Sequence, residues 1–116
     1  MNWDTQHQEH REWLSQLDFY QDEIKIFQHD LMDVVQKHPD YFHMVEHVDE
    51  YRSILLRKIQ HIDDLRHRIM LHVRHLALDH QEIEDTHDIL KSEMENFVQD
   101  FEEMKGNFRR FVSRNN

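Results

Sequence analysis

One proline, at position 39, and one glycine, at position 106, are all that 116 residues offer to interrupt a helix. All-β folds need glycine- and proline-rich turns at short intervals, and this chain has no such punctuation. Glu, Asp, Gln, Leu, Ile, Lys and Arg dominate instead, so the chain reads as almost entirely helical. At this length about two thirds of the unfolded surface becomes buried on folding, enough for one self-supporting domain over residues 1–116.

The apolar residues say how the helices are arranged. Trp3, Trp13, Leu17, Tyr20, Ile24, Phe27, Leu31 and Val34 recur at spacings of three and four, with Gln6, His10 and His38 in the remaining slots. That is a sustained heptad with a single inward seam. Pro39 stops it, and Asp40 is a good N-cap for a second helix. A second series runs Tyr41, Val45, Val48, Arg52, Leu55, Ile59, Ile62, Arg66, Ile69, Val73 and Leu76. It continues without a slip into His80, Ile83, His87, Leu90, Met94, Phe97, Phe101, Met104, Phe108 and Phe111.

That unbroken register allows two architectures. One continuous helix over 40–113 would be roughly 105 Å long at about 1.5 Å per residue, and would pair with the first helix in a dimer. A break near residue 79 would give three helices. The break is the preferred reading, because Asp79 and Glu82 have the spacing of a capping box and Leu78 and Ile83 that of a hydrophobic staple. The expected fold is all-α: an antiparallel three-helix coiled-coil-like bundle of long helices at about 3–37, 40–77 and 80–113.

Charge and composition exclude several functions. Twenty-four acids against 14 bases give a formal charge of −10, which repels nucleic acid over most of the surface. No cysteine is present, so disulfides, thiolate metal sites and cysteine nucleophiles are out. No window approaches the roughly 18 apolar residues of a membrane span, and the first residues lack a basic, apolar leader, so a cytoplasmic protein is expected. Nucleophile elbows and phosphate-cradling glycine loops are missing, which points to a non-enzymatic protein. The last helix ends basic, with Lys105, Arg109, Arg110 and Arg114 around Phe108 and Phe111. That pattern complements the helix dipole or contacts an anionic surface.

Twelve histidines would carry the charge from −10 to +2 if all were protonated. His29, His43, His47, His61, His67 and His75 fall at outward positions. His10, His38, His80 and His87 fall inward, with His7 and His72 flanking the seam. Folding the helices up, down and up brings residues 3–10, 69–76 and 80–87 to one end. His10 and His87 then lie level, His7 and Glu84 one turn nearer the end, and His72 between. Imidazoles and a carboxylate converging there suit a divalent transition metal, held by His10, His72, Glu84 and His87 with His7 and His80 as additions. The competing readings are buried imidazoles satisfied by neighbouring acids or carbonyls, and a pH-sensing cluster.

Arg52 and Arg66 occupy the core register, where a guanidinium needs paired acids and tends to select a partner or register. Phe19, Ile26, Ile54 and Ile89 fall off the main seam and form a candidate second interface, so a homo-oligomer is expected. Together these features predict a small non-enzymatic bundle mediating protein–protein interaction or self-assembly. A His/carboxylate metal-binding bundle for storage, sensing or buffering is the alternative.

The segments NWDTQHQEHREWLSQLDFYQDEIKIFQHDL and VEHVDEYRSILLRKIQHIDDLRHRI resemble a group of short, His-bearing helical bacterial proteins. The resemblance covers the first two helices and implies a bacterial origin but no activity. Ferritin-like di-iron bundles use two E-x-x-H motifs on four helices, whereas Glu84–His87 is the single such motif here. Hemerythrin-like domains turn an H-x-x-x-H inward, whereas His43 and His47 fall on an outward face. Neither activity carries over. The architecture is similar to a spectrin-type repeat, which implies no role.

Overall fold

The computed structural model describes residues 3–38, 42, 44–78 and 84–115. Three helices make up the described chain: α1 (Trp3–Lys37), α2 (Val45–Leu78) and α3 (Glu84–Arg114). They lie side by side in an all-α three-helix bundle measuring 59 × 18 × 18 Å, close to the length of one helix of this size. The continuous helix over 40–113 is therefore not formed. The second helix begins at Val45, later than the expected residue 40. The proposed caps and staple at Asp40, Asp79, Glu82 and Ile83, together with His43 and His80, lie outside the described residues.

Aromatic contacts fix the directions of the helices. Tyr20 meets Phe97 and Phe101 at ring-centroid distances of 5.8 and 4.3 Å, and Phe27 meets Phe108 at 5.0 Å, so α1 and α3 run parallel. Tyr51 packs on Phe108 at 5.2 Å while His61, further along α2, packs on Phe97 at 5.1 Å, so α2 runs against both. Fully buried Phe97, Phe101 and Phe108 form the spine of the core with Leu17, Ile24, Leu55, Ile62 and Ile69 around them. Each such side chain contributes about 1.5–3 kcal/mol through burial. Among the described residues no helix is long and apolar enough to cross a membrane.

The inward stripe of α1 and α3 is the one the heptad predicts, but that of α2 is offset. Its buried residues are Val48, Leu55, Ile62, Leu65, Ile69, His72 and Leu76. Leu65 and His72 take the places expected for Arg66 and Val73. Val48, Leu55, Ile62, Ile69 and Leu76 keep a strict seven-residue repeat, and the second buried row lies one residue before the expected one, so α2 is turned about its axis as a whole relative to the expected seam. Arg52 is correspondingly no core residue: its side chain is 57% exposed and pairs with Asp49 on the same helix at 3.7 Å. Arg66 is half-buried and does bridge helices, donating to Asp18 at 2.8 Å and Gln21 at 2.7 Å on α1.

Two further ion pairs tie the remaining interfaces. Lys105 on α3 meets Glu23 on α1 at 2.6 Å with both side chains nearly buried, and Arg68 on α2 pairs with Glu93 on α3. The expected basic patch is thus incomplete: Lys105 turns inward, leaving Arg109, Arg110 and Arg114 exposed.

Candidate metal centre

The end of the bundle where α1 begins, α2 ends and α3 begins carries a buried layer of three imidazoles. His10, His72 and His87 are 2%, 3% and 1% exposed, values matched by the aliphatic core. Each helix supplies one ring, because the antiparallel course of α2 sets position 72 level with positions 10 and 87. His10 Nε2 lies 3.2 Å from His87 Nδ1. The ring of His72 stands edge-on to His10 at 4.9 Å between centroids and 5.6 Å from His87. One nitrogen from each ring falls within 4.8 Å of the other two. Trp13, one turn below His10, lies over the His87 ring at 4.9 Å with planes 32° apart and holds its orientation.

Three of the six ring nitrogens of this layer find no hydrogen-bond partner among the described residues. His10 Nδ1, His72 Nε2 and His87 Nε2 are buried without a hydrogen-bond partner among those residues. A neutral imidazole has one donor and one acceptor nitrogen, and leaving either unpaired in an apolar layer costs about 1–3 kcal/mol. Three such atoms in one layer mark a site whose polar groups are arranged for something other than core packing. Burial drives His10 down from 6.5 to about 4, with the neighbouring His72, His87 and His7 pushing the same way. Burial lowers His72 as well, assisted by His87 and His75. Deprotonated, lone-pair-bearing imidazole is the form that binds metal.

Among the described residues, the acid brought to this layer is Glu9. Its Oε1 lies 3.5 Å from His87 Nε2, and its Oε2 lies 3.9 Å from Lys91 Nζ. Sequence spacing nominates Glu84 instead, which opens α3 but whose side chain lies outside the described residues, as does the whole of His80. His7 is half-buried beside the trio and contributes to the electrostatics of His10. Of the expected ligand set, the structure brings together His10, His72 and His87. Register alone does not single out Glu9, because it neighbours His10 in sequence and so points about 100° away around α1. Only the approach of α3 makes that direction productive.

Geometry and donor type fit one chemistry. Two nitrogens on a tetrahedral ion with bonds of about 2.0–2.1 Å sit roughly 3.3 Å apart, close to the His10–His87 separation. Imidazole donors without an oxygen cage favour zinc, cobalt, nickel, copper or iron(II) over magnesium or calcium. A second group, His29 with Asp30 and Asp33, is exposed to half-buried on one side of α1 and has no buried donors.

The candidate interface residues do not form one surface. Phe19 and Ile26 are more than half exposed along the α1–α3 groove, where Ile26 lines a hollow with Phe27, Phe108 and Val112. Ile54 instead packs against the core in the α2–α3 groove. Ile89 is exposed on α3. Unanticipated are Met32 and Leu56, both more than half exposed, which line the same α1–α2 groove. The chain matches no protein-family model, no curated protein and no solved structure, so geometry alone carries the functional reading.

Proposed function

We propose that this chain is a transition-metal-binding helical bundle, holding one divalent ion between His10, His72 and His87 for storage, buffering or sensing. The observation that carries this reading is the buried layer of three imidazoles, one from each helix, with one nitrogen of each ring within 4.8 Å of the other two. An ordinary core would place leucine or phenylalanine at these positions and avoid the cost of the orphaned atoms. Binding needs no nucleophile and no substrate cavity, in keeping with a sequence that offers no enzymatic motif. Titration of metal-free protein with zinc, cobalt, nickel, copper and iron(II) tests it directly. One ion per chain, lost in His10→Ala and His87→Ala, is the expected result. No heat and no shift in melting temperature with any of the five metals would remove the reading.

Self-association is a second reading, favoured by the exposed Met32 and Leu56 beside Leu31 and Leu55. A second copy covering this groove would bury apolar surface that a lone bundle leaves in water. Sedimentation at high and low concentration, with Leu56→Glu and Phe19→Glu as controls, tests it. A monomer at every concentration would dismiss it.

A further inference from the structure

The two ring nitrogens of His87 face different surroundings. Nδ1 points to His10 Nε2 at 3.2 Å, within the layer. Nε2 lies on the opposite flank, buried and without a hydrogen-bond partner among the described residues, 3.5 Å from Glu9 Oε1. We propose that Glu9 is the outer carboxylate of the metal centre: it accepts the Nε2–H of His87 and fixes the tautomer in which Nδ1 offers its lone pair inward. This assignment rests on the metal-binding reading.

A histidine bound to an ion through one nitrogen characteristically donates from the other to a carboxylate or carbonyl, which orients the ring and makes the ligand more basic. The parts for that arrangement are present and belong to two helices. α1 supplies the ligand His10 and, next to it, Glu9. α3 supplies the ligand His87 and, one turn later on the same face, Lys91. The Lys91 ammonium stands 3.9 Å from Glu9 Oε2, on the side of the carboxylate away from His87. At 3.5 Å the His87–Glu9 contact is longer than a formed hydrogen bond. Withdrawal of electron density from the ring on metal binding makes Nε2–H a stronger donor and closes that gap. A direct ligand role for Glu9 would require the ion on the Nε2 flank, away from the 3.2 Å approach of His10.

Cobalt(II) separates these possibilities, since its d–d absorption reports the ligands and its titration reports affinity. Wild type should bind one cobalt per chain. Glu9→Ala should bind about 10–100-fold more weakly, with the position and intensity of the absorption unchanged. Glu9→Gln, whose amide oxygen still accepts a hydrogen bond, should recover part of the loss, and Lys91→Met should show a smaller weakening. Apo melting curves of the variants check that the bundle is intact. Equal affinity of Glu9→Ala and wild type overturns the assignment alone. A changed absorption in Glu9→Ala makes Glu9 a ligand and overturns its outer role. Failure of wild type to bind cobalt and the other four metals alike removes the metal-binding reading and this assignment together.

Discussion

His10 Nε2 and His87 Nδ1 meet at 3.2 Å across 77 residues of sequence, inside a layer as buried as the aliphatic core. One proton can be shared in that contact; two would place like charges together in an apolar environment. Folding therefore holds His10 neutral down to about pH 4, against 6.5 when unfolded. Above pH 6.5 the ring is neutral in both states and pH has no effect through it. Between 6.5 and about 4 the unfolded chain takes up the proton and the folded one does not, so stability falls as pH falls. The loss through His10 reaches on the order of 3 kcal/mol by about pH 4, and the lowered His72 adds in the same direction. Urea unfolding of metal-free wild type and His10→Leu at about pH 7.5 and 4.5 measures it. The variant should lose less stability on acidification; equal losses would contradict the assigned cause.

Zinc and the bundle should be linked through the same residues. At a free zinc concentration about 100 times the dissociation constant, an ion bound only by the folded chain adds about 2.7 kcal/mol, or about 10 °C in melting temperature for a domain of this size. His72→Leu should show the opposite balance. Replacing an imidazole with an unpartnered nitrogen by a leucine of similar volume leaves the metal-free stability unchanged or about 1 kcal/mol higher, and abolishes the zinc response. Calorimetric melts with and without zinc distinguish this from a merely structural His72, whose loss would lower stability in both conditions.

Much of this arrangement is legible in the sequence because it depends on register. Pro39 and the seam from Trp13 to Val34 define α1 to the residue, and histidines at inward positions can be levelled by counting about 1.5 Å per residue along antiparallel helices. What depends on the lateral packing of helices is not legible. The rotation of α2 about its axis turns Leu65 and His72 inward and leaves Arg52 in water. Glu9 and Glu23 look like ordinary flanking acids until α3 lies against them. Their signals are faint but physical: Glu23 and Lys105 fall at matching heights on parallel helices, as the neighbouring Tyr20–Phe101 and Phe27–Phe108 contacts require.

The Glu23–Lys105 pair makes a prediction about specificity against stability. Both groups are nearly buried, and Glu23 Oε1 has no hydrogen-bond partner, so much of their attraction offsets their own desolvation. Lys105→Met should cost about 3 kcal/mol by leaving a buried carboxylate uncompensated. The double replacement Glu23→Met with Lys105→Met should return to within about 1 kcal/mol of wild type or exceed it. Denaturant unfolding of the four proteins in a double-mutant cycle supplies the coupling. Additive losses would show that the pair does not act as a unit.

Gly106 offers a stabilising change in the same helix. It sits inside α3, half-buried, without a positive φ, and an added Cβ would meet only the flexible tip of Arg110, at 3.6 Å. Nothing in the backbone there requires glycine, while its freedom in the unfolded chain disfavours the helix by about 1 kcal/mol relative to alanine. Gly106→Ala should therefore raise unfolding free energy by about that amount and leave zinc affinity untouched, since the imidazole layer lies at the opposite end of α3. A destabilised variant would mean that α3 must bend or be approached at this point. Hydrogen exchange of the amides flanking residue 106 would then reveal a local opening in wild type that the alanine abolishes.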